Sequence, residues 1–163
     1  MPPPDGIPSL KQAGYVISTN SYPHVWPWHF SRLEGSPWND VRVRKAANLA
    51  IDRAGLNKLL GGLMIESKGH VYPGHPWFGS PAFDIKYDPA AARKLLAEAG
   101  YSATKKPKIK IAISTSGSGQ MLPLPMNEYV QENLNAVGFD TSFEVMEWNA
   151  LLTFAFQPVT GEN

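Results

Sequence analysis

Residues 108–146 hold the pattern that most narrows what this chain can fold into. Ile109, Ile111 and Ile113 alternate with Lys108, Lys110 and Ala112, the period of a strand with one apolar face. A loop of small residues, 114–120, follows. A helical period then runs from about 125 to 136, with Met126, Tyr129, Val130 and Leu134 on its buried side and Gly138 as its stop. Residues 139–146 alternate again, with Phe143 and Val145 on one face. Strand, helix and strand at these lengths make a βαβ unit, which crosses over right-handed to a parallel neighbour. The fold class is therefore α/β.

Elsewhere the signals are mainly caps and stripes. Asp40 is predicted to open a helix reaching about Leu60, with Val43, Ala46, Ala47, Ala50, Ile51 and Ala54 in one stripe and Gly61-Gly62 ending it. Its small alanines would allow close approach to a sheet. Asp88 at an N-cap and Pro89 at the first helical position open another helix, carrying Leu95, Leu96 and Ala99 and stopped by Gly100. Asp5 is expected to cap a short helix through about Gln12, and residues 147–156 to begin a last one. Two further strands are predicted. Residues 15–19 are β-branched and aromatic; residues 24–31 place Trp26, Trp28 and Phe30 at period 2, with Pro27 making an edge or bulged strand. Residues 63–87 have little periodicity, several prolines and glycines, and the aromatics Tyr72, Trp77, Phe78 and Phe83. A loop that long inside a domain is often functional. The expectation is one domain over residues 1–163, a mixed sheet with a βαβ unit and flanking helices.

Composition removes several function classes. Fifteen Lys and Arg against 14 Asp and Glu give a net charge of +1, with no electrostatic field to collect nucleic acid or an anionic membrane. The absence of cysteine excludes disulfides, Cys-ligated zinc and thiol catalysis. No apolar run approaches the ~20 residues of a membrane span. The opening Met-Pro-Pro-Pro-Asp lacks the basic and apolar regions of a signal peptide, so the signal of an exported protein is expected outside these residues. His24, His29, His70 and His75 match no compact metal motif and read as loop histidines. Gly117-Ser118-Gly119 supplies only part of a GxSxG nucleophile elbow, and Pro123 and Pro125 delay the helix that would have to follow it. Phosphate-loop motifs are absent too. Two readings of residues 114–120 stay open: a loop that binds a polar ligand group through backbone N–H, or a plain connection. Trp26, Trp28 and Trp38 are core residues or the wall of a recognition surface. Arg42, Arg44 and Lys45 read as a solvated helix face. Nothing in these residues demands an enzyme or a cofactor.

Three stretches carry a family resemblance. The first is Gly35-Ser36-Pro37-Trp38-Asn39-Asp40-Val41-Arg42-Val43-Arg44-Lys45-Ala46-Ala47 with Ala50-Ile51-Asp52-Arg53. The second, residues 87–101, is similar to a YDPxxAxxLLxEAGY segment; the third joins Leu134 to Phe139 with Glu147-Trp148. In this order and spacing the chain resembles the family 5 extracytoplasmic solute-binding proteins, the dipeptide- and oligopeptide-binding components of ABC importers, from about residue 1 to 156. The resemblance implies a periplasmic binding protein-like lobe, in a periplasmic or extracytoplasmic setting. It also implies that these residues are most of a second lobe, the first lobe and a tryptophan- and acid-containing ligand segment lying outside them. Partners so implied are a peptide or similar small polar solute and an ABC permease. By position, Ser114, Ser116, Gly117, Ser118 and Gln120 would face the ligand cleft; Trp26 and Trp28, from their own aromatic pattern, are expected to add apolar wall. An interaction module that forms homodimers through an exposed aromatic surface is the alternative expectation.

Overall fold

The computed structural model describes residues 2–20 and 25–156. In chain order the elements are α1 (Ile7–Gln12), α2 (Val41–Ala50), α3 (Arg53–Leu59), α4 (Pro89–Glu98), β1 (Lys108–Ser114), α5 (Pro123–Val137), β2 (Asp140–Met146) and α6 (Trp148–Phe156), with 3-10 turns at Pro4–Gly6 and Pro37–Asn39. They belong to two compact units: Met1–Pro27 with Arg53–Ile85, and Trp28–Asp52 with Lys86–Asn163.

The second unit is built on the predicted βαβ. β1 and β2 pair in parallel, from Lys108 opposite Asp140 to Ser114 opposite Met146. Ile109, Ile113 and Thr141 are buried on one face, while Lys110 and Glu144 form a 2.9 Å ion pair on the other. α5 packs on the strands, burying Met126, Val130, Leu134 and Val137, and its Asn135 Oδ1 accepts both the Thr141 N–H at 3.0 Å and the Thr141 hydroxyl. Gly138, at φ +115°, ends the helix in the left-handed conformation that glycine adopts without steric cost. Phe139 follows at once and is buried; Trp38 lies between it and Phe30, with ring centroids 5.8 and 4.4 Å away.

α2 packs chiefly against α4, so the alanine stripe meets a helix and not the sheet anticipated for it. Val43, Ala46 and Ala92 at this contact have no accessible surface. Two of the three predicted aspartate caps form: Asp40 Oδ1 accepts the Arg42 N–H at 2.8 Å, and Asp88 Oδ1 accepts the Ala91 N–H at 2.9 Å. The Arg42 side chain and then its backbone N–H, both bonded to Asp40, hold that carboxyl below the usual carboxylate range. A depressed native pKa gives a contribution that is complete above the unfolded-state value and lost as pH falls through the native one. Asp40→Asn keeps a capping oxygen but not the charge. It should lower the melting temperature at about pH 7 and make no difference by about pH 2, in paired thermal melts.

The first unit has little regular structure. Leu56 of α3, with Leu60 and Pro4, forms its buried centre, and Gly61 (φ +65°) turns tightly against Pro4. Phe78 packs against Gly69, and Tyr72, His75 and Trp77 make successive edge contacts in the loop the sequence leaves aperiodic.

Three expectations change. Residues 15–19 and 25–31 join no β ladder, so among the described residues the sheet is purely parallel and two-stranded; His24 lies outside those residues. The Tyr15 N–H instead closes α1 on Leu10 O, and Pro27 has no N–H to offer. The predicted 40–60 helix is two helices. The Asp52 N–H donates to Asn133 Oδ1 at 2.7 Å, and Ile51 is extended (φ −84°, ψ 116°). Asp5 sits inside the first 3-10 turn and caps nothing with its side chain.

Candidate functional site

The loop that leaves β1 is folded by its own serines. Ser114 Oγ donates to Ser116 O at 2.7 Å and accepts the Ser116 N–H at 3.4 Å. Ser118 Oγ accepts the Gln120 N–H at 3.3 Å and donates to Gln120 Oε1 at 3.5 Å. Both serines are buried, so their hydroxyls set the shape of the loop. Ser116 and Gly117 are exposed, and Gln120 is half-buried. Gly117 and Gly119 have φ of +77° and +80°, whereas Ser116 and Ser118 have negative φ, so the backbone changes hand at each residue. A side chain at Gly117 has no room, since its Cβ would come within 2.9 Å of Trp148 Cβ. The N–H groups of Gly117, Ser118 and Gly119 donate to no acceptor among the described residues. Successive free N–H groups in a tight turn form a concave donor set suited to a carboxylate or carbonyl oxygen.

α5 carries the next part. Trp28 Nε1 donates to Asn127 Oδ1 at 3.0 Å, and Asn127 Nδ2 donates to Pro123 O at 2.7 Å. The indole is thereby held on the first turns of the helix into which the serine loop runs. Of the seven residues singled out in the sequence, Ser114, Ser116, Gly117, Ser118 and Gln120 share this loop and Trp28 belongs to the same unit. Trp26 belongs to the first unit, where it is 37% exposed.

Two residues escaped the sequence reading. Asn127 is a polar side chain directly beside Met126 on a buried helix face, and that anomaly could have marked it. Trp148 supports the loop across Gly117; its place in a family motif was legible, but its contact was not. Glu147, one residue earlier, caps α6 by accepting the Asn149 N–H at 2.8 Å and the Ala150 N–H at 3.2 Å. Among the described residues no three His, Asp or Glu side chains converge as a metal site would require, and His75 Nδ1 instead accepts the Trp77 N–H at 3.1 Å.

Residues 1–160 match the family described as bacterial extracellular solute-binding proteins, family 5 Middle. The chain belongs to this family. Over 122 residues this family 5 chain is 34% identical to the probable di/tripeptide-binding protein 5 of Pseudomonas aeruginosa, covering 71% of this chain and 22% of that protein. It is 26% identical over 163 residues to the oligopeptide-binding protein OppA of Bacillus subtilis, covering 92% of this chain and 28% of OppA. Its fold is similar to part of the ABC transporter-associated periplasmic binding protein DppA from Helicobacter pylori, solved with the peptide STSA: the TM-score is 0.73 at 23% identity, over 93% of this chain and 28% of DppA. The family 5 chain thus spans 22–28% of the length of these relatives.

Proposed function

We propose that this chain is part of the solute-binding component of an ABC importer, working in the periplasm or elsewhere outside the cytoplasmic membrane, and that it contacts peptides or similar small polar solutes without covalent chemistry. The observation that carries this reading is the serine loop, whose consecutive free amides lead into the helix that holds the Trp28 indole, in a member of family 5. The amides of Gly117, Ser118 and Gly119 would donate to a carboxylate or backbone carbonyl of the ligand. Gln120 and the exposed backbone of Ser116 add polar contacts, and Trp28 supplies apolar wall. Ser114 and Ser118 act through loop shape. In this reading a first lobe, carried by the further length that relatives have, forms the opposing wall, and the permease recognises the loaded receptor.

One lobe alone grips a solute weakly, so the test is an NMR titration of the full chain with trialanine. Amide shifts at 115–120 and at the Trp28 indole N–H are expected to move together and saturate in the millimolar range. C-amidated trialanine should bind roughly tenfold more weakly, because it presents no charged acceptor. Shifts confined to other surfaces, or none, would remove the reading. The self-association reading rests in the sequence on the aromatic edge with Trp26 and Trp28, and the exposed Phe154 and Phe156 of α6 add apolar surface to it. A mass that rises with concentration by light scattering, abolished by Phe154→Ser and Phe156→Ser together, would favour it.

A further inference from the structure

The chain passes between its two units three times, at 27–28, 52–53 and 85–86. Close to each passage it is pinned within the second unit. Trp28, the first residue after the first passage, donates its indole N–H to Asn127. Asp52, the last residue before the second, gives its backbone N–H to Asn133 Oδ1 at 2.7 Å, and its carboxylate accepts the Tyr129 hydroxyl at 3.2 Å. Just after the third, the Asp88 N–H donates to Leu49 O at 2.8 Å.

Two of these three pins stand on α5 and are built alike. Asn127 Nδ2 donates to the carbonyl of Pro123, and Asn133 Nδ2 to that of Tyr129, each four residues back, at 2.7 and 2.9 Å. That bond fixes the plane of the side-chain amide and aims its Oδ1 away from the helix as an acceptor. Burial, then the Asp52 charge, holds the Tyr129 hydroxyl above the ordinary phenol range. Asn127 is only 2% exposed, beside Met126 and Val130, where an apolar residue would bury more cheaply. Its hydrogen bonds are what an apolar residue could not supply.

We propose that Asn127 and Asn133 are positioning residues that make α5 the common support of the serine loop, the Trp28 indole and the Asp52 passage. The loop runs directly into α5, so the three keep one arrangement only while both asparagines hold. The inference concerns this chain's own order and stands apart from the identity of the ligand.

Hydrogen exchange followed by NMR on the full chain tests it. In the unaltered protein the Trp28 indole N–H and the Asp52 amide should exchange as slowly as the Val130 and Leu134 amides, because one opening of α5 exposes them all. Asn127→Leu should speed exchange of the Trp28 indole by about tenfold and leave the Asp52 amide protected; Asn133→Leu should do the reverse. The amides of Ile111 and Phe143, in the strands, should be unchanged in both. Asn127→Asp keeps an acceptor for the indole but loses the donor to Pro123 O, so it should restore Trp28 protection in part relative to Asn127→Leu. Fast exchange of the indole in the unaltered chain would overturn the proposal. So would equal loss at Trp28, Asp52 and the strands in either leucine variant, or no rescue by Asn127→Asp. Should the leucine variants fail to fold, the unaltered chain and Asn127→Asp decide the matter.

Discussion

Phe139→Ala should destabilise the chain by about 3–5 kcal/mol, the usual cost of deleting a fully buried aromatic side chain. Phe139 is 1% exposed and sits where α5 passes into β2, with its N–H bonded to Leu134 O and its ring 5.8 Å from that of Trp38. Trp38 in turn stacks on Phe30, so the deletion also removes the support of the ring pair behind it. Those three residues come from three separate segments, and relaxation at one of them cannot close the cavity for the others. Against a total stability of roughly 5–15 kcal/mol the loss is a large share. Urea unfolding followed by tryptophan fluorescence should show the midpoint falling steeply. Phe139→Leu, which keeps much of the volume, should lose roughly 1–1.5 kcal/mol. A midpoint shift in Phe139→Ala no larger than that of Phe139→Leu would mean that the Phe30–Trp38–Phe139 stack is not the centre of the second unit.

Elements whose causes are local were legible in the amino-acid order. β1, α5 and β2 follow from a change of period from two to about 3.6 and back, with Gly138 closing the helix. The Asp88-Pro89 start and the left-handed Gly100 at the end of α4 are read from neighbours alone. Features set by distant partners were not. The break between α2 and α3 depends on Asn133, 81 residues away, taking the Asp52 N–H. Residues 25–31 show the period of a strand because their aromatic side chains do alternate, Trp28 to Asn127 and Phe30 to Trp38. What makes a strand, however, is a neighbouring edge, and composition does not reveal whether one is there. The candidate site divides in the same way. Small residues after a strand marked the loop, and the period-2 aromatics marked Trp28, whereas the supports beneath them, Trp148 and Asn127, depend on contacts across 31 and 99 residues.

Gly117→Ala should cost about 2–3 kcal/mol and displace the serine loop, although it adds a single methyl group. One part of that is conformational: at φ +77° an L side chain pays about 1–2 kcal/mol. The other is steric, because the new Cβ would lie 2.9 Å from Trp148 Cβ and 3.0 Å from its Cγ. Trp148 Cβ is fixed by the α6 backbone and cannot rotate away as the rest of the side chain could; the loop or α6 has to shift. Gly100→Ala separates the two parts. Gly100 has a similar φ, +87°, with nothing within 4 Å of a Cβ, so it should lose only the conformational part. The difference between the two variants in urea unfolding measures the contact with Trp148. Because Cβ is the nearest atom, Trp148→Ala should relieve the clash only in part, while Trp148→Gly should relieve it in full, at the expense of helix α6. If Gly117→Ala and Gly100→Ala lose the same stability, Trp148 does not brace the loop. The amides of 117–119 would then need another reason to hold the alternating backbone that turns them outward as donors.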